Sequence, residues 1–134
     1  MIRLLALDMD GTCLNGRSRM TEETIRTIRK AADAGIIIVP TSGRPLTCLP
    51  YQMTQEKGLY RYTITSNGAQ VVDLEEKKTL FRMLMKRERV VQFLRECEEL
   101  NVVRMTHIQH RYVMEGPLME VAGRIVYGLS LIHI

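Results

Sequence analysis

Apolar residues along this chain occur in two patterns, short solid runs and helix-period stripes, and their alternation predicts an α/β fold. Leu4, Leu5, Ala6 and Leu7 form a solid run close to the start, as expected of a strand buried on both faces. After a polar, glycine-bearing stretch at 15–18, Thr21 followed by Glu22 and Glu23 reads as an N-cap with an acidic first turn. Ile25, Ile28, Ala31 and Ala32 then recur at helical spacing, with Arg26, Arg29 and Lys30 facing water and Gly35 as the C-cap. Residues 36–39 make a second buried strand, so the chain opens on a strand–helix–strand unit whose crossover is expected to be right-handed.

Pro45 suits the first turn of a helix predicted over roughly 45–57, which Pro50 would kink or shorten. Residues 62–65 read as a third strand. The Asn67-Gly68 pair that follows is a strong hairpin signal into 70–72, and a functional loop is an equally good reading of it. Residues 79–83 can pair back across a turn at 75–78, and Val90, Val91, Leu94, Cys97 and Leu100 predict a helix over 87–100. Segments 102–106 and 111–115 are candidate antiparallel strands. His107 and His110 lie near the turn between them and, with no third ligand evident, read as loop residues and not as a metal site.

Composition narrows the class. A chain of 134 residues with 46% hydrophobic content can bury a real core. Its longest early apolar stretch, 36–39, is far short of the roughly 20 residues a membrane span needs. Asp8 comes too early to leave room for a signal peptide, so a cytoplasmic protein is expected. Cys13, Cys48 and Cys97 are odd in number and widely spaced, which fits free thiols; Cys13 reads as a semi-buried filler. Lys86, Arg87 and Arg89 form the densest basic cluster, best read as a solvated helix start. Two Phe, no Trp and no basic–aromatic interleaving argue against nucleic acid as a partner. The net charge of +4 suits an anionic substrate without requiring one.

The first strand closes on Asp8-Met9-Asp10-Gly11-Thr12, and the second on Thr41-Ser42-Gly43-Arg44. In open α/β sheets ligands bind beyond the carboxyl ends of strands, so both segments are candidate site loops. Asp8 is a candidate nucleophile, since a carboxylate can attack phosphorus and form a transient aspartyl phosphate. Mg²⁺, a hard cation that takes oxygen ligands, would screen Asp8 from an anionic substrate. Asp10 could protonate the leaving oxygen and later activate water. Gly11 and Thr12 allow close backbone approach to a phosphate, which the Ser42 hydroxyl and the backbone N–H groups near Gly43 would grip from the neighbouring strand. A calcium-loop reading of Asp8-x-Asp10-Gly11 lacks its third acid and terminal glutamate.

Taken in order with Ser66-Asn67-Gly68-Ala69, these segments resemble the haloacid dehalogenase superfamily, specifically its Cof-type (subclass IIB) phosphatases, over residues 1 to about 85. The resemblance implies a three-layer Rossmann-like parallel sheet, incomplete here, over residues 1–80, and the start of an α/β cap over 81–128. It implies that Asp8 is the nucleophile and a magnesium ligand. Asp10 would be the acid/base and bind the metal through its backbone carbonyl; Ser42 would hold the phosphate, and Arg44 and Asn67 would lie near the substrate or the cap hinge. The implied partner is a small phosphorylated metabolite, turned over by a phosphatase or, alternatively, a phosphomutase. A later lysine and a Gly-Asp-x-x-Asn-Asp run, part of the family pattern, are not identifiable, so the isolated chain is expected to be an inactive phosphate-binding fragment. Residues 129–134 resemble a translated sequencing adaptor and are expected to be non-native. A sheet without its later strands is also expected to leave an apolar face uncovered around 36–39. Oligomeric state is left open.

Overall fold

The structure, a computed structural model, describes residues 2–50, 52, 58–100, 104–108 and 111–115. The chain divides into two compact units, Met1–Met83 and Leu84–Ile134. Strands β1 (Leu4–Asp8), β2 (Ile37–Thr41), β3 (Tyr62–Thr65), β4 (Gln70–Asp73) and β5 (Lys78–Arg82) of the first unit form one sheet in chain order. β1, β2 and β3 run parallel, while β4 and β5 are added antiparallel. The sheet is therefore mixed, and the expected Rossmann-like parallel character belongs to its first three strands.

Helix α1 (Glu22–Asp33) forms as its sequence predicts. The Thr21 hydroxyl accepts the N–H of Thr24, so one of the orphan donors of the first turn is satisfied. At the other end Gly35 sits at φ +83, and the N–H groups of Gly35 and Ile36 donate to the carbonyls of Ala32 and Ala31. That pairing closes the helix in a Schellman turn. Ile28 enters the core formed by Met9, Leu14, Met20, Ile38, Leu49, Leu59 and Tyr60, with Ile25, Ala31 and Ala32 packed against it.

Three expectations are corrected. β1 is not buried on both faces: it ends the strand order, and Leu4 and Leu5 are 54% and 37% exposed. The exposure expected around 36–39 is confined to Ile37, since Ile38 and Val39 sit inside the sheet with neighbours on both sides. The helix expected over 45–57 is interrupted: the described residues form a 3₁₀ turn at Leu46–Cys48, leave helical geometry at Leu49, which is extended at ψ 141, and are helical at Gln52. Proline disfavours helical geometry in the residue before it, so Pro50 ends the turn there; of the remaining residues, 51 and 53–57 lie outside those described.

The second unit contains helix α2 (Arg87–Glu98) and a hairpin of β6 (Arg104–Ile108) and β7 (Arg111–Glu115). Cys97 is buried and Val90 and Leu94 are half-buried, one side of the helix at i, i+4 and i+7, while Val91 and Leu100 are exposed. Arg104 donates to the Leu94 carbonyl, which ties β6 to α2. His107 lies within β6, not in a loop; His110 and residues 129–134 fall outside those described.

β4 ends on a buried carboxylate with all its neighbours in place. Asp73 Oδ1 accepts the N–H groups of Glu75 and Glu76, each at 3.0 Å, and Oδ2 accepts Arg61 Nε at 3.0 Å. The backbone N–H of Glu76, followed by the Arg61 guanidinium, outweighs burial and holds the Asp73 carboxyl below its usual range. A depressed folded value means that this contribution is full above an unfolded pKa of about 3.9 and is lost as pH falls through the lower folded value. Urea midpoints of the wild type are expected to drop more steeply below about pH 4 than those of Asp73→Asn; equal slopes would contradict the assignment.

Candidate active site

Parallel pairing sets Asp8 opposite Thr41, so the loops that leave β1 and β2 emerge side by side. Met9 is fully buried between the two acids and acts as the plug of the first loop. Its carbonyl accepts the N–H groups of Thr12, Cys13 and Leu14 at 3.3, 3.1 and 2.9 Å, and this tight turn requires φ +79 at Gly11. With Met9 directed into the core, the carboxylates of Asp8 and Asp10 are left on the exposed side. Thr12 Oγ1 donates to Asp8 Oδ2 at 3.0 Å. The Cys13 thiol, half-buried against the core, is pushed up by burial and then by the charge of Asp8, in keeping with a filler.

The second loop meets the first through Asp10. Arg44 Nη2 lies 2.7 Å from Asp10 Oδ1 and Nε lies 3.1 Å from Oδ2, a bidentate pair. The Ser42 hydroxyl is 3.4 Å from Asp10 Oδ2 and accepts the Arg44 N–H at 3.1 Å. Ser42 is itself buried. Arg44 also reaches Ser18 Oγ at 3.3 Å and the Cys48 carbonyl at 3.5 Å.

A third loop, the 3₁₀ turn Ser66–Gly68 between β3 and β4, closes over the second. Ser66 N donates to the Arg44 carbonyl and Asn67 N to the Ser42 carbonyl. Ser66, Asn67 and Gly68 all have positive φ, at 53, 54 and 89. The hairpin and functional-loop readings of Asn67-Gly68 are thus compatible: the turn joins antiparallel strands and also touches the site. Asn67 Oδ1 stands 2.7 Å from where a Cβ on Gly43 would lie. Only glycine at 43 admits the amide so closely.

Of the eight predicted residues, Asp8 closes β1 and the other seven, Asp10, Gly11, Thr12, Ser42, Gly43, Arg44 and Asn67, fall in these three loops. Sequence reasoning missed Ser18, whose φ of 54 is unusual for a serine and whose hydroxyl supports Arg44. It also missed the Arg44–Asp10 pair, because no local pattern signals a contact 34 residues apart. Among the described residues, no group of three or more His, Cys, Asp or Glu side chains converges as a metal site. No helix among them is long and apolar enough to cross a membrane.

A family model described as haloacid dehalogenase-like hydrolase matches residues 5–123. A 5-amino-6-(5-phospho-D-ribitylamino)uracil phosphatase of Bacillus subtilis is 38% identical over 84 residues, 59% of this chain and 33% of that protein. An HMP-PP phosphatase of Yersinia pestis is 36% identical over 75 residues, 56% of this chain and 27% of that protein. A crystal structure of a haloacid dehalogenase-like hydrolase from Bacteroides thetaiotaomicron superimposes with TM-score 0.76 at 23% identity, covering 100% of this chain and 52% of that one. The chain spans about a third of the length of the curated relatives it matches.

The Gly43–Asn67 contact has a direct test. Gly43→Ala is expected to lower stability by about 1 kcal/mol, since the amide end can move only partly out of the way. Asn67→Gly tolerates the left-handed backbone and removes the obstructing atom, so the double variant should recover most of that loss. Additive urea-midpoint losses would show that the two residues do not touch.

Proposed function

We propose, for a chain that belongs to the haloacid dehalogenase-like hydrolase family, phosphatase chemistry on a small phosphorylated metabolite. The observation that carries it is the pair of exposed carboxylates flanking buried Met9, held beside Ser42 and Gly43 at the carboxyl ends of two parallel strands. Asp8 attacks phosphorus through a carboxylate oxygen, and the bond to the leaving oxygen breaks as Asp10 delivers a proton to it. Asp10 then takes a proton from water, which displaces phosphate from Asp8 and restores the carboxylate. Ser42, the backbone at Gly43, and the Gly11-Thr12 turn would hold the phosphoryl oxygens, with Asn67 at the substrate side. The hydroxyls of Thr12 and Ser42 and the N–H of Arg44 are bonded to neighbours within the site, so an arriving phosphate has to exchange with them.

The donor set fits Mg²⁺: an exposed carboxylate at Asp8 and the backbone carbonyl of Asp10 are hard oxygen ligands, and magnesium commonly uses one or two carboxylates with substrate phosphate and water. When bound it would supply charge neutralisation between Asp8 and the anionic substrate. The free thiols of Cys13, Cys48 and Cys97 support a reducing, cytoplasmic setting. The similarity to a 5-amino-6-(5-phospho-D-ribitylamino)uracil phosphatase and an HMP-PP phosphatase supports phosphorylated small molecules as the substrate class.

A second reading is favoured by the absence of a third metal-binding side chain near Asp8 and Asp10 among the described residues. On that reading the isolated chain binds phosphate without turnover. One assay separates the two: release of phosphate from p-nitrophenyl phosphate with magnesium present. Phosphatase chemistry requires release that falls to background in Asp8→Asn and is stopped by EDTA and restored by magnesium. Binding of inorganic phosphate with no release would establish the second reading, and release undiminished in Asp8→Asn would refute both assignments of Asp8.

A further inference from the structure

The pair between Arg44 and Asp10 is built more heavily than a surface ion pair. Two different nitrogens of one guanidinium meet two different oxygens of one carboxylate, at 2.7 and 3.1 Å. The guanidinium is braced in turn by Ser18 Oγ and the Cys48 carbonyl. Its side chain is 15% exposed, whereas that of Asp10 is 49% exposed. Arginine thus engages both oxygens of a carboxylate that still faces solvent. Exposed pairs contribute little to stability, which does not account for an arginine held on this many partners. A fork of two parallel bonds does something else: it fixes the plane of the carboxylate. Orientation matters for an acid/base group, which must lie within hydrogen-bond reach of the atom it serves.

We infer that Arg44 is the positioning residue of Asp10: its guanidinium acts through the Asp10 carboxylate and is not itself a ligand of the phosphoryl group. This rests on the phosphatase reading, in which Asp10 moves the proton. Lysine keeps the charge but cannot form the fork. Arg44→Lys and Arg44→Gln are therefore both expected to lower kcat for p-nitrophenyl phosphate by about tenfold or more, with KM within about twofold. Arg44→Gln added to Asp10→Asn should cost nothing further, because residues that act as a unit are not additive. Rescue by Arg44→Lys, a raised KM with kcat retained, or losses that multiply would each overturn the inference. If the wild-type chain shows no turnover dependent on Asp8, the phosphatase reading fails by itself, and the Arg44 Nε–H resonance in NMR spectra decides the matter. The pairing predicts a sharp, solvent-protected signal that broadens in Asp10→Asn and persists in Asp8→Asn; a signal unaltered in Asp10→Asn would overturn it.

Discussion

Parallel pairing of β1 with β2, in a register that puts Asp8 opposite Thr41, is the constraint from which the site follows. Two strands running the same way deliver their following loops to the same edge of the sheet, and so residues far apart in the chain meet there. Asp10 and Arg44 are separated by 34 positions and approach to 2.7 Å. A slip of one residue would exchange inward and outward side chains. It would carry Met9 out of the core and the flanking acids into it, which the burial cost of two carboxylates forbids. Register and site chemistry are thus set together.

The three loops also hold one another. The Met9 carbonyl collects three N–H groups, Ser42 and Arg44 pass their carbonyls to the Asn67 and Ser66 N–H groups, and Arg44 spans to Asp10 and Ser18. At the buried residues Met9 and Ser42 these bonds answer the rule that buried polar groups need partners. The polar groups of the three loops partner each other. An anion entering the site therefore exchanges hydrogen bonds with groups already in place, which keeps the geometry defined before it arrives.

Much of this was legible in the residues themselves, for identifiable reasons. Helix α1 announced itself through Thr21, its apolar stripe and Gly35, all local signals that the structure uses directly. Two acids one residue apart at the end of an apolar run marked the first site loop, whereas the burial of Met9 between them came from the structure. Legibility failed where the outcome depended on distant partners. Leu4 and Leu5 read as doubly buried because an apolar run looks alike in a central and an edge strand, and only the strand order reveals the difference. Pro45 suggested a helix that is broken at Leu49, ahead of Pro50, a contest between two local preferences. The partner of Arg44 had no local signature at all, and neither did the contact between Gly43 and Asn67.

The central claim is that Asp8 accepts the phosphoryl group. An aspartyl phosphate is an acyl phosphate, and borohydride reduces it to homoserine, which mass spectrometry locates by residue. Quenching the chain during reaction with a phosphate monoester and magnesium is predicted to leave homoserine at position 8. Its appearance at another residue, or its absence from position 8, would contradict the account.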